Sequence, residues 1–287
     1  MELAAAVDRR LPELLPGAGS RPERVIEAMR YALTTPGKRL RPVLTLTVAE
    51  MLGEDRPEVL DLACAVEMVH ACSLVLDDLP SMDDARLRRG RETTHRAFGE
   101  DVAILAAFAL FNRAYALVCE AGMRLSPRRY SVADLGHHLA RAIGTEGLVG
   151  GQALDLESRE RDLDLERLEY IHSHKTGALF IAAAELGAMA AGARRKEFDA
   201  VSLYAKNLGL AFQIGDDLLD VVGRPEETGK DSQQDTHKVT FVKLLGVDGA
   251  RSLIVELLEF AVEALTPLGK KAEPLRSLAG YVRVRER

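Results

Sequence analysis

The chain has 287 residues, of which 47% are hydrophobic and 29% are charged, so its composition excludes an intrinsically disordered protein. A net charge of −6 gives no support to nucleic-acid binding. The three cysteines are scattered and odd in number, which favours a reducing compartment. Residues 1–19 lack the apolar core of a signal peptide, and no apolar run approaches the roughly 18 residues of a membrane span. We therefore expect a cytoplasmic protein with no membrane span and no nucleic-acid partner.

Helical periodicity dominates the chain, and runs of alternating β-branched residues are absent. We therefore expect an all-α fold, built as a single domain over residues 1–287 because no linker-like stretch divides it. The predicted helices are, in chain order, Val25–Leu33, Arg41–Leu52, Asp61–Leu76, Asp101–Gly122, Val132–Leu148, Asp164–Ser173, Ala178–Ala193, Phe198–Val222, Ala250–Leu265 and Leu275–Val284. The third and fourth are apolar on nearly all sides, which is typical of buried helices.

The third predicted helix is followed at once by three acids and then by two arginines, namely Asp77, Asp78, Asp83, Arg88 and Arg89. Carboxylates at the end of an apolar helix are costly to desolvate unless a cation compensates them. Mg²⁺ usually takes one or two carboxylates together with substrate phosphates, and arginines suit phosphate oxygens. The stretch therefore predicts a metal-bridged phosphate site above an apolar pocket.

Pro80 bears on the geometry of this stretch. Asp77 and Asp83 are six residues apart, which on a straight helix would leave them on different faces. Because proline disfavours continued helix, we expect the chain to turn between them and to bring both carboxylates to one metal site.

A second acidic cluster lies inside the long predicted helix that ends near Val222. Asp216 and Asp220 are one turn apart, and Asp217 is close to the same face. Like charges at this spacing destabilise an isolated helix. Two such clusters, each beside apolar residues, are hard to explain by structure alone and favour a metal-diphosphate function.

These ordered motifs resemble the trans-prenyl diphosphate synthase family, also called polyprenyl synthetases, from about Gly37 to the C-terminus. The matching segments are Gly37–Pro42 (Gly-Lys-Arg-Leu-Arg-Pro), Asp77–Asp83, Arg88–Gly90, Gly150–Gln152, His174–Gly177, Phe212–Asp220, Gly229–Asp231 and Lys238. The resemblance implies the isoprenoid synthase fold, in which a helical bundle surrounds a deep central cavity, and a homodimer. It also implies a prenyltransferase that condenses isopentenyl diphosphate with an allylic diphosphate, using Mg²⁺ at three ions per active site.

The resemblance also implies roles for individual residues. The implied catalytic residues are Asp77, Asp78, Asp83, Lys175, Asp216, Asp217 and Asp220, and the implied metal ligands are Asp77, Asp83 and Asp216. The residues implied to bind the allylic diphosphate are Arg88, Lys175, Thr176, Gln213, Lys230 and Lys238. The residues implied to bind isopentenyl diphosphate are Lys38, Arg41, His70 and Arg89.

Departures from the family pattern bear on the product. Leu76 stands where farnesyl-type bacterial enzymes usually have His, and Ala85 stands where they usually have a third Asp. The chain is most similar in these segments to bacterial carotenoid-pathway geranylgeranyl diphosphate synthases.

Helix geometry gives a separate argument about chain length. Cys72 and Ser73 precede Asp77 by five and four residues, or roughly 6–7.5 Å along a helix. In the resembled family, a bulky aromatic there blocks the growing tail. Because Cys72 is small, we expect a deeper floor and a C20 rather than a C15 product. Phe108, Met68 or a partner subunit are other sources of a floor.

Three other functions stay open. The same chemistry stopping at C15 would give a farnesyl diphosphate synthase. A class I terpene cyclase shares the fold and the first Asp motif, but its second motif usually mixes Asn, Ser or Thr with Glu, and Lys38 and Arg41 favour a second diphosphate here. A non-catalytic subunit of a heteromeric synthase would usually have lost Asp or Arg from a motif.

Overall fold

The structure is a computed structural model that describes residues 2–17, 19–158, 164–222 and 239–284. The α-helices are, in chain order, α1 (Glu2–Glu13), α2 (Glu23–Leu33), α3 (Leu40–Met51), α4 (Pro57–Asp77), α5 (Thr94–Phe98), α6 (Glu100–Leu125), α7 (Val132–Ile143), α8 (Leu148–Glu157), α9 (Leu165–His172), α10 (Ala178–Ala190), α11 (Arg195–Val222), α12 (Phe241–Ala264) and α13 (Glu273–Val284). The remaining elements are a hairpin of β1 (Leu87–Arg88) and β2 (Arg91–Glu92), a π-helical turn (Ser173–Gly177) and a 3-10 helix (Thr266–Ala272). The structure is 79% helical, so the all-α prediction is confirmed.

The bundle is organised around α4, as its apolar sequence predicts. Thirteen of its 21 residues are buried, and the helix packs against α3, α6 and α10. Pro57 at the first turn fits the helix start, because its missing N–H would have no partner there. The acids at the end of α4 thus extend from a helix that is largely buried in the core.

The helix predictions are wrong in several places, including α5, which was not predicted, and α12, which begins at Phe241 rather than Ala250. Helix α1 was not predicted, although it packs against α3 and α4 through buried Val7 and Leu11. The helix predicted over Val132–Leu148 ends instead at Ile143, and α8 begins at Leu148. The backbone leaves the helical region at Gly144 (φ −64°, ψ −166°) and is still non-helical at Gly147 (φ −138°, ψ −129°).

The expectation that no segment reaches the length and apolarity of a membrane span also needs correction. By length and composition alone, α4 and α6 both qualify. The apolar window of α4 is 72% buried inside the bundle, as is typical of a core helix, whereas that of α6 is only 39% buried. Helix α6 therefore presents apolar surface to its surroundings.

Candidate active site

The acids after α4 lie in a tight turn, here called the Asp-rich turn (residues 77–85). Helix α4 ends at Asp77, and the backbone N–H of Asp83 donates to the carbonyl oxygen of Asp77 at 3.0 Å. The N–H of Ala85 likewise returns to the carbonyl of Asp78 at 3.2 Å. The prediction that the chain turns near Pro80 is confirmed, whereas the prediction that the carboxylates of Asp77 and Asp83 reach one metal site stays a prediction.

Asp78 faces inward and is 3% exposed. The guanidinium of Arg88 donates to its Oδ1 through Nε at 3.0 Å and through Nη2 at 2.5 Å. Burial raises the pKa of Asp78, and the Arg88 guanidinium partly opposes this rise. Asp78 thus anchors β1 to the Asp-rich turn, which agrees with a supporting rather than a ligating role.

The second acidic cluster lies near the end of α11. Asp216 is half-buried, Asp217 is buried and Asp220 is exposed. The amide of Gln213 donates to Asp217 Oδ1 at 3.0 Å and accepts from the Thr176 hydroxyl at 2.8 Å. This chain of hydrogen bonds joins α11 to the π-helical turn.

Lys175 lies between Asp77 of the first acidic cluster and Asp155 of α8. It lies in the π-helical turn, and its Nζ is 2.7 Å from Asp155 Oδ2 and 3.8 Å from Asp77 Oδ2. Sequence reasoning missed Asp155. The available signal was its place on α8, three residues after Gln152 and so on the same helix face. The structure therefore gathers Asp77, Asp155 and Lys175 between α4 and α8.

A second group of basic residues lies beside the Asp-rich turn; we call Lys38, Arg41, His70 and Arg89 the basic group. Arg41 Nη1 is 3.4 Å from His70 Nε2, and its guanidinium lies over the Phe180 ring at 4.4 Å. Lys38 is exposed, with its Nζ 5.8 Å from the centre of the Phe212 ring. Arg89 occupies the tip of the β-hairpin with a positive φ of 53°.

Burial and mutual repulsion set the electrostatics of the basic group. Burial lowers the pKa of Arg41 to about 10, although Glu67 and Asp216 oppose the fall. Burial, Arg41 and Arg89 hold the pKa of His70 well below its usual range, so its imidazole is neutral at pH 7. A site that lowers the pKa of buried cations in this way is poised to receive an anion.

A cleft opens here between the Asp-rich turn and the basic group. Its lining residues include His70, Asp78, Arg88 and Arg89. Of the predicted site residues, four line this cleft, Lys175 lies near Asp77, and Thr176 and Gln213 are hydrogen-bonded to each other. Lys230 and Lys238 lie outside the described residues. Cys72 is 7% exposed within the core, and burial raises its pKa to about 12, which makes it an inert wall residue. The role of Cys72 and Ser73 as a floor stays a prediction.

Comparison with known proteins assigns the family. Residues 22–259 match the family model described as polyprenyl synthetase. The chain is 43% identical over 289 residues to geranylgeranyl pyrophosphate synthase 9 of Arabidopsis thaliana, covering 98% of this chain and 78% of the relative. It is 43% identical over 273 residues to the large subunit 1 of a heterodimeric geranylgeranyl pyrophosphate synthase of the same plant, covering 92% and 73%.

Solved structures agree with this assignment. An FPP/GFPP synthase from Zymomonas mobilis is similar at a TM-score of 0.85 and 36% identity, over 98% of this chain and 96% of that one. A geranyltransferase from Helicobacter pylori, complexed with magnesium and isoprenyl diphosphate, is similar at 0.86 and 30%, over 99% and 94%. The fold is that of the isoprenoid synthases, and the chain is a prenyltransferase. The chain belongs to the polyprenyl synthetase family.

Proposed function

We propose that the chain joins isopentenyl diphosphate to allylic diphosphates, head to tail and with Mg²⁺, and that geranylgeranyl diphosphate (C20) is its main product. The observation that carries the proposal is the arrangement of two cationic regions beside one acidic turn. Lys175 Nζ lies 3.8 Å from Asp77 Oδ2, while His70 and Arg89 of the basic group line a cleft together with Asp78 of the same turn. Two groups of cationic side chains beside one set of carboxylates suit two diphosphate substrates.

The acids fit a metal that arrives with its substrate. Among residues 2–17, 19–158, 164–222 and 239–284, no three His, Cys, Asp or Glu side chains form a group that could hold a metal ion alone. Mg²⁺ usually takes only one or two carboxylates and completes its coordination with phosphate and water. We propose that Asp77, Asp83 and Asp216 would hold the Mg²⁺ ions, three in all, together with the allylic diphosphate. When bound, Mg²⁺ would neutralise charge that develops on the leaving diphosphate.

In the proposed reaction, the chain's own residues bind and orient the two substrates and shield the allylic cation from water. We assign Lys175 and Thr176 to the leaving diphosphate, because Lys175 lies 3.8 Å from Asp77 and positive charge there would stabilise the anion as the allylic C–O bond breaks. The basic group holds isopentenyl diphosphate so that its double bond faces the allylic cation. Apolar walls exclude water from that cation. The released diphosphate can accept the final proton, so no protein base is required.

The proposed product length depends on the small residues one to two turns below Asp77. Cys72 is buried in the core and the Ser73 hydroxyl donates to the His70 carbonyl at 2.8 Å, so neither projects a large group. A small residue at this level leaves room for a tail longer than C15.

We place the protein in the cytoplasm, since all three cysteines are free thiols. A punctate or membrane-bound fluorescent fusion would contradict this location.

We further propose that the chain forms a homodimer through α6. Exposed apolar side chains recur along one face of this helix, with Ile104 48%, Phe108 71% and Met123 64% exposed. Exposed apolar stripes of this length favour a protein interface. We expect Phe108→Glu to lower the mass measured by light scattering from two chains to one. Phe260→Glu is the control, because Phe260 is also exposed (49%) but lies on α12. Unchanged mass in both variants would contradict the α6 interface.

The experiment that tests the function compares charge-removing substitutions with a neighbouring control. Asp77→Asn and Asp216→Asn should each reduce Mg²⁺-dependent turnover by several orders of magnitude, since each removes a carboxylate that holds transition-state charge. Asp84→Asn removes the same charge beside Asp83, but its side chain is exposed and its positive φ of 46° suits Asn. Near-normal turnover in the first two variants, or an equal loss in Asp84→Asn, would overturn the proposal.

The relative that is named as a large subunit favours one second candidate, an active subunit that needs a partner. Assay of the purified chain without any partner distinguishes a self-sufficient synthase from a subunit that needs a partner. Turnover by the purified chain supports the proposed function, whereas turnover only after addition of a second chain supports the subunit. Cyclic hydrocarbon products instead of linear diphosphates would indicate a terpene cyclase.

A further inference from the structure

Arg39 is a buried cation beside the proposed substrate site, and no role is assigned to it so far. Its side chain is only 4% exposed. Nε donates to Asp8 Oδ1 on α1 at 2.7 Å, and Nη1 donates to Glu67 Oε1 on α4 at 2.6 Å. Nη2 donates to the carbonyl oxygens of Leu33 and Thr35 at 2.7 and 3.1 Å. One guanidinium thus ties α1, the end of α2 and α4 to the start of α3.

The hydrogen bonds of the Arg39 side chain accompany an unusual backbone conformation at the same residue. Its φ of 50° and ψ of 33° are left-handed, which is uncommon for a residue other than Gly, Asn or Asp. A strained backbone of this kind persists only where surrounding contacts fix it. Because Arg39 lies between Lys38 and Arg41, this local shape decides where both of those side chains point.

Arg89 is packed into the same turn. Its Nη1 donates to the carbonyl oxygen of Pro36 at 2.9 Å. A side-chain carbon at Gly37 would lie 2.3 Å from Arg89 Nη1 and 3.5 Å from Arg39 Nη1, so glycine leaves the room that the two guanidinium groups need. Movement of Arg39 would therefore be passed on to Arg89.

Glu67 of α4 supplies the negative charge that balances the Arg39 guanidinium. It is 3% exposed in an otherwise apolar stretch of α4, so it requires a cationic partner. It also acts electrostatically on Arg41 and Arg89, opposing the loss of their protons that burial causes. One buried carboxylate thus lies beneath three arginines of the same region, and only Arg39 bonds directly to it at 2.6 Å.

We propose that Arg39, fixed by Glu67 and Asp8, is a positioning residue that holds the basic group in the geometry that binds isopentenyl diphosphate. The proposal rests on the proposed assignment of the basic group to that substrate. Arg39 lines the cleft, but its side chain is 4% exposed and all three of its nitrogens donate to protein atoms, so we assign it a positioning role rather than a contact with the substrate. Helix α1 thereby takes part in substrate binding through Asp8.

The test compares two arginines that bind buried carboxylates of α4. Arg39→Lys keeps the charge but cannot reach four acceptors in different directions. It should raise KM for isopentenyl diphosphate about tenfold or more, since small misplacements of binding groups are costly. KM for the allylic substrate should stay within about twofold. Calorimetric titration of the resting protein with isopentenyl diphosphate should show the same weakening without turnover.

Arg10→Lys is the matched control. Arg10 lies on α1 and, like Arg39, donates to a buried carboxylate of α4. Its partner is Asp61, at 2.7 and 3.2 Å, which precedes Glu67 by six residues along α4 and lies further from the site. It should lower the melting temperature without changing either KM. Equal kinetics in Arg39→Lys and Arg10→Lys would reduce Arg39 to a stabilising residue and overturn the proposal.

Two more variants keep the proposal testable if Arg39→Lys does not fold. Asp8→Asn removes only the partly exposed partner, and it should raise KM for isopentenyl diphosphate several-fold; an unchanged KM would overturn the role of α1. Lys38→Ala tests the substrate assignment by itself. If Lys38→Ala leaves that KM unchanged, the assignment of the basic group fails; if it raises KM while Asp8→Asn and Arg39→Lys do not, only the positioning role fails.

Discussion

Helix α8 packs tightly against the π-helical turn at Gly151, so we predict that a larger residue at this position lowers the turnover rate. A methyl group there would lie 2.1 Å from the backbone nitrogen of Lys175 and 2.7 Å from its Cα, far inside van der Waals contact. In Gly151→Ala the turn must move by about 1 Å or more, and Lys175 must move with it. A displacement of this size in a catalytic group typically costs about 100-fold in rate. Overpacking adds a loss of roughly 1–3 kcal/mol in stability.

The assay is steady-state turnover with both substrates saturating, combined with thermal unfolding followed by circular dichroism. Gly136→Ala is the control: Gly136 lies in α7, and a methyl group there meets nothing within 4 Å. We expect that control to keep full activity and to gain about 0.5–1 kcal/mol of stability, because alanine favours helix. Turnover in Gly151→Ala within twofold of the unchanged protein would refute the claim that this contact fixes Lys175.

Three further predictions concern product length, pH and helix capping. Cys72→Phe should shorten the main product from C20 to C15, whereas Cys72→Ser should not; an unchanged product in Cys72→Phe would remove Cys72 from the floor. The pKa of His70 lies well below 6.5 in the folded protein and returns to about 6.5 on unfolding, so below pH 6.5 the unfolded state binds more protons and stability falls on acidification. His70→Gln should therefore flatten the pH dependence of the unfolding free energy below pH 6.5, by up to about 1 kcal/mol per pH unit, and an unaltered slope would contradict the burial of a neutral imidazole. Ser131→Ala should lower stability by about 1 kcal/mol with unchanged turnover, since Ser131 and Asp134 form a capping box at the start of α7; loss of turnover would show that α7 is coupled to the site.

The sequence predicts the core helices well because apolar periodicity decides them. Helices α3 and α4 begin and end within a few residues of the predicted bounds, apart from the first turn of α4. Helix α1 was missed because its apolar signal is short, with only Val7 and Leu11 buried, and Pro12 lies inside it. The π-helical turn could not be predicted, since its backbone pairing depends on the approach of α8 at Gly151.

The parts of the candidate site that could be predicted are those in which charged residues recur at a characteristic spacing along the sequence. The acids after α4 and on α11 carry that signal, and the turn at Pro80 followed from the stereochemistry of proline. Glu67 was missed, although an acid in an apolar helix signals a buried partner. That its partner is Arg39 depends on how α1, α3 and α4 pack, which a single sequence does not encode in any local pattern.

The most direct test of the proposed function is a product analysis. The purified protein would be incubated with Mg²⁺, isopentenyl diphosphate and, in parallel, C5, C10 and C15 allylic diphosphates. The alcohols released by dephosphorylation would then be separated by chain length. We expect a dominant C20 alcohol from every starter. Accumulation of C15 alcohol would contradict the deep floor below Asp77, and no elongation from any starter would contradict the proposed reaction itself.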